Sequence, residues 1–200
     1  MTYEVARRWV QWGHHVHLVC GNYPGGSRHD NIEGIEITRL GGKYSLYPMA
    51  ILHYLRKLKE KYDVIIDEIN TVPFFTPKYV KEPKVALIHQ LAAEILYEEL
   101  PWLQARFWNF MEPRVLRLYI DVPIVTVSKS TKEDLIRIGL PEKNIHVITE
   151  GLDHTLYKPI NKKSNNPHIL YVGRLKRFKG VHFLIQSMKH VVEEMPNVRL

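Results

Sequence analysis

A chain of 200 residues has room for one domain or two; its 45% hydrophobic content can furnish a packed core, and 24% charged residues is too few for a disordered polyelectrolyte. The formal net charge of +7, from 28 Lys+Arg against 21 Asp+Glu, favours anionic partners, but no block of like charge, aromatic-basic RNA-binding signature or Cys/His zinc spacing occurs, so no specific nucleic-acid partner is expected. Cys20 stands alone, which rules out an internal disulfide and a thiolate metal site.

The chain opens MTYEVARRWVQWG, in which Val5, Trp9 and Trp12 recur at helical spacing while Arg7, Arg8 and Gln11 fall elsewhere; this predicts an amphipathic helix from Thr2, ended by Gly13. The stretch has no apolar core of signal-peptide length and no segment is long enough to span a bilayer, so a cytoplasmic location is expected. HVHLVC (His15 to Cys20) reads as a strand, GNYPGGSRHD as a loop, and Ile35 to Leu40 as a strand closing on Gly41 and Gly42. Pro48 to Lys61 carries Ile51, Leu52, Leu55 and Leu58 on one helical face. YDVIIDEIN and KVALIHQ follow as strands, and Val64 to Ile66 is apolar on both faces, as in a parallel strand covered by helices on each side.

Trp102 to Leu118 is helical, with Leu103, Phe107, Phe110 and Leu118 turned inward and Pro113 placed to kink or divide it. Its aromatics, with Arg106, Arg114 and Arg117, also fit an interfacial helix; beside Glu98, Glu99 and Glu112, core packing is the reading adopted. PIVTVSKS runs from a strand into a helix from Thr131 to Ile138, with Ser130 and Glu133 at capping-box spacing and Gly139 and Pro141 at its end. NIHVITEG is one more strand. The polar segment KPINKKSNNP, without periodicity, reads as an interdomain linker.

Beyond it, HILYVG is a strand and Val181 to Glu194 a helix, so GRLKRFKG occupies the hand-over from strand to helix. Ligands of open α/β sheets bind along that carboxyl edge, where helix N-termini offer free N–H groups to phosphates. Arg174 and Lys179 add full charges, and the turn reads equally as a diphosphate clamp or as solvated surface. His89, ending VALIH, and Asp67, Glu68 and Asn70, ending another strand, lie at the same kind of edge. By itself His89 could serve local hydrogen bonding, and the acidic group could face an acceptor or cap a loop.

RWVQWGHHVHLVC, DVIIDEINTVPFFTP, KVALIHQ, VTVSKSTKEDL, NIHVITEGLDHTLYKP and YVGRLKRFKG, in this order, resemble the GT-B glycosyltransferases of retaining family 4 over nearly the whole chain. The resemblance implies an α/β fold: a Rossmann-like, mostly parallel sheet over residues 1–160, lacking its first strand, a linker at 161–167, and over 168–200 the first βα unit of a second, nucleotide-sugar-binding domain. It implies that Gly173, Arg174 and Lys179 hold the diphosphate of a UDP- or GDP-sugar donor and that His89 lines the cleft beside the transferred sugar. Gly151 and Asp153 match the family's loop before the linker, where Glu150 replaces the usual asparagine. No cofactor and no metal are implied.

The family's opening strand and glycine-rich loop, and the E-x7-E motif of its second domain, are not found in this sequence, so the resemblance is to a member truncated at both ends. The chain is accordingly expected to be a fragment inactive alone, with weak donor affinity, or a non-catalytic remnant or binding module. Self-association, a complementing chain, and peripheral contact with the inner face of a membrane are further expectations. With the first strand absent, a gap is expected between His15–Cys20 and Asp63–Asp67, with His168–Gly173 ranked first to insert there and direct closure second.

Overall fold

Glu4, in the first turn of helix α1 (Thr2–Gln11), pairs with Arg8 at 2.6 Å and Arg7 at 2.9 Å, the spacing at which opposite charges support a helix. The computed structural model describes residues 1–92, 95–159, 164 and 166–200. The helix ends at Trp12 and Gly13, whose φ of +90° suits glycine. Strand β1 (His17–Gly21) then runs parallel to β3 (Ile35–Leu40). Between them, where the sequence predicts a loop over part of the stretch, lies strand β2 (His29–Ile32), antiparallel to β3. Glu33 and Gly34 both have positive φ (51° and 84°), the geometry of a two-residue hairpin turn that matches strand twist. All four β2 residues are exposed, so no apolar alternation marked it.

Helix α2 (Leu46–His53) continues into a wider π turn over Tyr54–Leu58. Its buried residues are Ala50 and Tyr54, whereas Leu52 and Leu55, expected inward, are exposed. A polar anchor sets this rotation. The Tyr54 hydroxyl hydrogen-bonds the Glu82 carboxylate, which also accepts from the Glu60 N–H at 2.6 Å. Burial, aided by the bond to Glu82, pushes the Tyr54 phenol up to about 12.

The second sheet is fully parallel in the order β4 (Ile65–Ile69), β5 (Lys84–Ile88), β6 (Ile124–Thr126), β7 (Ile145–Val147). Ile69, Ala86, Ile88, Ile124 and Ile145 form its core with Leu116, Tyr119, Leu135 and Leu140. Val64 and Ile66, expected to be covered, are exposed: they fall on one face of the strand, while Asp67 and Ile69 on the other are buried. Helix α5 (Lys129–Arg137) starts earlier than expected: extended Ser128, not Ser130, is its cap and accepts from the Thr131 N–H at 3.1 Å.

Contacts divide the described residues into two units, 1–91 with 114–150 and 92–113 with 151–200. In the first, β1 and β4 each pair on one side only among the described residues, so direct closure between them does not occur there. Insertion of His168–Gly173 within one chain does not occur among the described residues either. Among the described residues this segment forms a single bridge, His168 with Arg199 in its own unit, and Leu170 and Val172 are exposed. Of the expected linker, residues 161–163 and 165 lie outside the described residues.

The second unit holds α3 (Ile95–Glu99), most of α4 (Trp102–Leu116) and α6 (Val181–Glu194), with a small core of Ala92, Leu96 and Ala105. Residues 92–113, expected in the first domain, group here. Ion pairs from Glu98 to Arg177 at 3.2 Å and from Glu99 to Lys176 at 2.6 Å fasten them. Helix α4 runs through Pro113 as one element, and Leu103, Phe107 and Phe110, expected inward, are exposed. Its buried stripe is Ala105, Glu112 and Leu116, with Glu112 accepting the Ala92 N–H at 2.7 Å. Leu118 packs on the core as expected.

Candidate active site

In the first unit, polar residues gather past the carboxyl ends of the parallel strands. His89 follows β5, and its ring lies between two carboxylates: Nε2 is 3.4 Å from Glu68 and Nδ1 is 3.7 Å from Glu150. The Thr2 hydroxyl donates to Glu68, 2.8 Å from both of its oxygens, and so orients that carboxylate. The Thr131 hydroxyl donates to the His89 carbonyl at 3.2 Å and ties the strand end to α5. The imidazole thus lies near an acid at each ring nitrogen and is about one-fifth exposed. Thr2 escaped the sequence reading, since nothing local signals a bond spanning 66 positions.

Asp67 does not join this group. It is 2% exposed, and its carboxylate accepts from the Thr76 hydroxyl at 2.9 Å, the Phe74 N–H at 3.3 Å and the Tyr119 hydroxyl. Burial foremost, then the nearby Asp67 charge, raises the Tyr119 phenol and keeps it a donor. Asp67 fixes the loop after β4, while Asn70, at the end of that strand, is exposed to solvent.

In the second unit the basic turn runs through a short 3-10 segment (Arg177–Lys179) to Gly180, whose φ of +66° leads into α6. Its cations fall into two pairs. Lys176 and Arg177 are neutralised by Glu99 and Glu98. Arg174 and Lys179 are exposed and have no ion pair among the described residues, Lys179 lying 5.0 Å over the Phe178 ring. Gly173 is exposed beside Tyr171, whose hydroxyl donates to the Arg174 carbonyl at 2.8 Å. Of the loop residues, Asp153 accepts from the Thr155 N–H and hydroxyl at 2.9 and 2.6 Å, and a Cβ on Gly151 would meet nothing within 4 Å. Gly151 therefore meets no steric demand within its own unit.

A parallel sheet with polar groups at its carboxyl ends, and a turn ahead of a helix in which two of four cations have no ion pair among the described residues, are features of an α/β protein. Residues 1–156 match the profile of Glycosyltransferase Family 4, and the chain belongs to that family. Over 92% of its length it is 27% identical to an uncharacterised glycosyltransferase of Methanocaldococcus jannaschii, covering 53% of that protein. It is 23% identical, again over 92% of its length, to D-inositol 3-phosphate glycosyltransferase of Corynebacterium aurimucosum, covering 46% of it. The chain thus spans about half the length of these relatives.

Proposed function

We propose that this chain serves a retaining glycosyltransferase that moves a sugar from a nucleotide-sugar donor of the UDP or GDP class, with Arg174 and Lys179 holding the donor diphosphate. The observation that carries this reading is the division of the basic turn: Glu98 and Glu99 take Arg177 and Lys176, leaving Arg174 and Lys179 uncommitted ahead of α6. As the glycosyl bond breaks, negative charge collects on the departing diphosphate, and fixed cations there stabilise the transition state more than the bound substrate. His89, oriented by Glu68 and Glu150, hydrogen-bonds a hydroxyl of the transferred sugar or the leaving group. Asn70 and Glu150 serve the acceptor edge, Gly151 and Asp153 the loop that follows, and Asp67 acts through its loop alone.

The reading is tested by thermal unfolding across a panel of nucleotide-sugars. A ligand present at a hundred times its Kd stabilises by about 2.7 kcal/mol. Stabilisation by one nucleotide class, abolished in Arg174→Ala/Lys179→Ala, is expected; no shift with any of them would count against the proposal.

Two further partners belong to it. The exposed Trp102, Leu103, Phe107 and Phe110 of α4, with Arg106 5.4 Å over the Trp102 ring, suit peripheral contact with a membrane surface. Among the described residues no helix is long and apolar enough to cross one. The one-sided pairing of β1 and β4 suits self-association or a complementing chain, which light scattering across a concentration series tests.

A further inference from the structure

A groove of about 600 Å³ opens in the first unit at the start of β1 and β3, whereas Glu68, His89 and Glu150 gather past the opposite, carboxyl ends of the second sheet. Four histidines enter it: His15, His17, His29 and His53. Three are engaged. His17 meets the Tyr62 hydroxyl through Nδ1 at 2.7 Å and the Thr38 hydroxyl through Nε2 at 2.8 Å. His29 shares the Thr38 hydroxyl at 3.2 Å. His15 stacks on Tyr62 and lies 3.1 Å from Glu36. His53 differs: it meets His17 edge-on at 6.4 Å, and its Nε2 is buried with no hydrogen-bond partner among the described residues.

Three cations share the groove. Arg28, Lys57 and Lys61 line it, and none of them forms an ion pair among the described residues. Two carboxylates also line it: Asp30 pairs with Arg39 at 3.3 Å, and Glu36 lies 3.1 Å from His15 and 4.0 Å from His17, both groove residues. Among the described residues no three His, Cys, Asp or Glu side chains are arranged to hold a metal ion, and the surrounding positive charge disfavours a cation. A buried ring nitrogen without a partner among the described residues, beside three cations that outnumber the two carboxylates, is the chemistry of an anion site.

We propose that this groove binds a phosphate-bearing anion, with Arg28 and Lys57 supplying charge and the protonated His53 ring donating a hydrogen bond from Nε2. This site is built from other residues than the donor turn and does not depend on the glycosyltransferase reading. Burial, then repulsion from His29, Arg28 and Lys57, holds His53 below the ordinary imidazole value. Burial also lowers His17, where Glu36 opposes and His53, His15 and His29 add to the effect. A bound anion offsets that repulsion and favours the protonated ring, so affinity rises as pH falls through the depressed value.

The test is a titration of the whole chain with sodium phosphate, against sodium chloride at equal ionic strength, followed by histidine ring NMR at about pH 7.5 and about pH 5.5. The His53 ring should shift saturably with phosphate only. Each unit by which phosphate raises its pKa strengthens binding roughly tenfold at the lower pH. Arg28→Ala/Lys57→Ala, both at exposed positions, should weaken binding roughly tenfold or more. Lys189→Ala, on exposed α6 surface, should leave it unchanged, and His53→Gln should retain binding while keeping only the pH dependence of phosphate's own titration. Vesicles carrying a phosphate-monoester lipid form a second arm. Saturation at lower phosphate concentration on vesicles assigns the phosphate to a lipid headgroup, and saturation by free phosphate alone assigns it to a soluble ligand. Equal response to phosphate and chloride, no saturation, or unchanged affinity in the double variant overturns the proposal.

Discussion

Asp67 is an acid held at 2% exposure, and the fold answers with donors from Thr76, Phe74 and Tyr119. Replacing Tyr119, itself fully buried, by Phe removes a donor without changing shape and leaves the carboxylate short of a partner, a loss of about 1–3 kcal/mol. Urea unfolding of Tyr119→Phe should show that loss with little change in slope; an unchanged midpoint would mean that Asp67 is satisfied without it. The sequence could not distinguish this buried anchor from an acceptor contact, because its side-chain partners lie 9 and 52 positions away. For the same reason the four cations of the basic turn look alike in sequence, and only the ion pairs to Glu98 and Glu99 separate them. His89 was legible as a strand-end histidine, but its two flanking carboxylates were not.

Helices show where a periodic pattern misleads. In α4 the apolar residues Leu103, Phe107 and Phe110 share exposed surface, while Ala105 and Glu112 face in, a stripe that hydrophobicity alone does not mark. If that surface meets lipid, vesicles containing anionic lipid should co-sediment the chain, and Leu103→Asp/Phe107→Asp should abolish binding without lowering stability. Retained binding in that variant would assign the contact elsewhere. In α5 the cap was read two residues late, since Ser128 and Ser130 both precede the helical pattern and only the extended backbone of Ser128 aims its hydroxyl at the Thr131 N–H. Ser128→Ala should therefore cost about 1 kcal/mol and Ser130→Ala close to nothing, by thermal or urea unfolding. Equal losses would contradict this assignment. The parallel strands were legible because each is a short apolar run bounded by turn residues; exposed β2 was not, as its only marker is the Glu33-Gly34 turn.

At the scale of the whole molecule, the alternation of strands and helices carried the α/β class, and the ordered motifs carried the family that residues 1–156 match. The placement of the segment after the linker was not legible, because a strand-like pattern does not specify its partner: the Ile169 N–H donates to the Arg199 carbonyl at 2.8 Å. Stability should depend on pH through the histidine groove. His17 and His53 have folded values below the unfolded one, so the unfolded chain takes up protons first, and stability complete above about pH 6.5 is lost as pH falls below it. Glu4, Glu36 and Glu82, whose values are lowered, act only further down, below the ordinary carboxylate range. A urea midpoint that falls between about pH 7.5 and about pH 5.5, and falls less in His53→Gln, checks the sign. The central claim, that Arg174 and Lys179 hold a donor diphosphate, is met most directly by calorimetric titration of a UDP- and a GDP-sugar into the chain and two double variants. The account predicts salt-sensitive binding of one nucleotide class that is lost in Arg174→Ala/Lys179→Ala and kept in Lys176→Ala/Arg177→Ala; equal affinity in both variants, or binding lost only in the second, would contradict it.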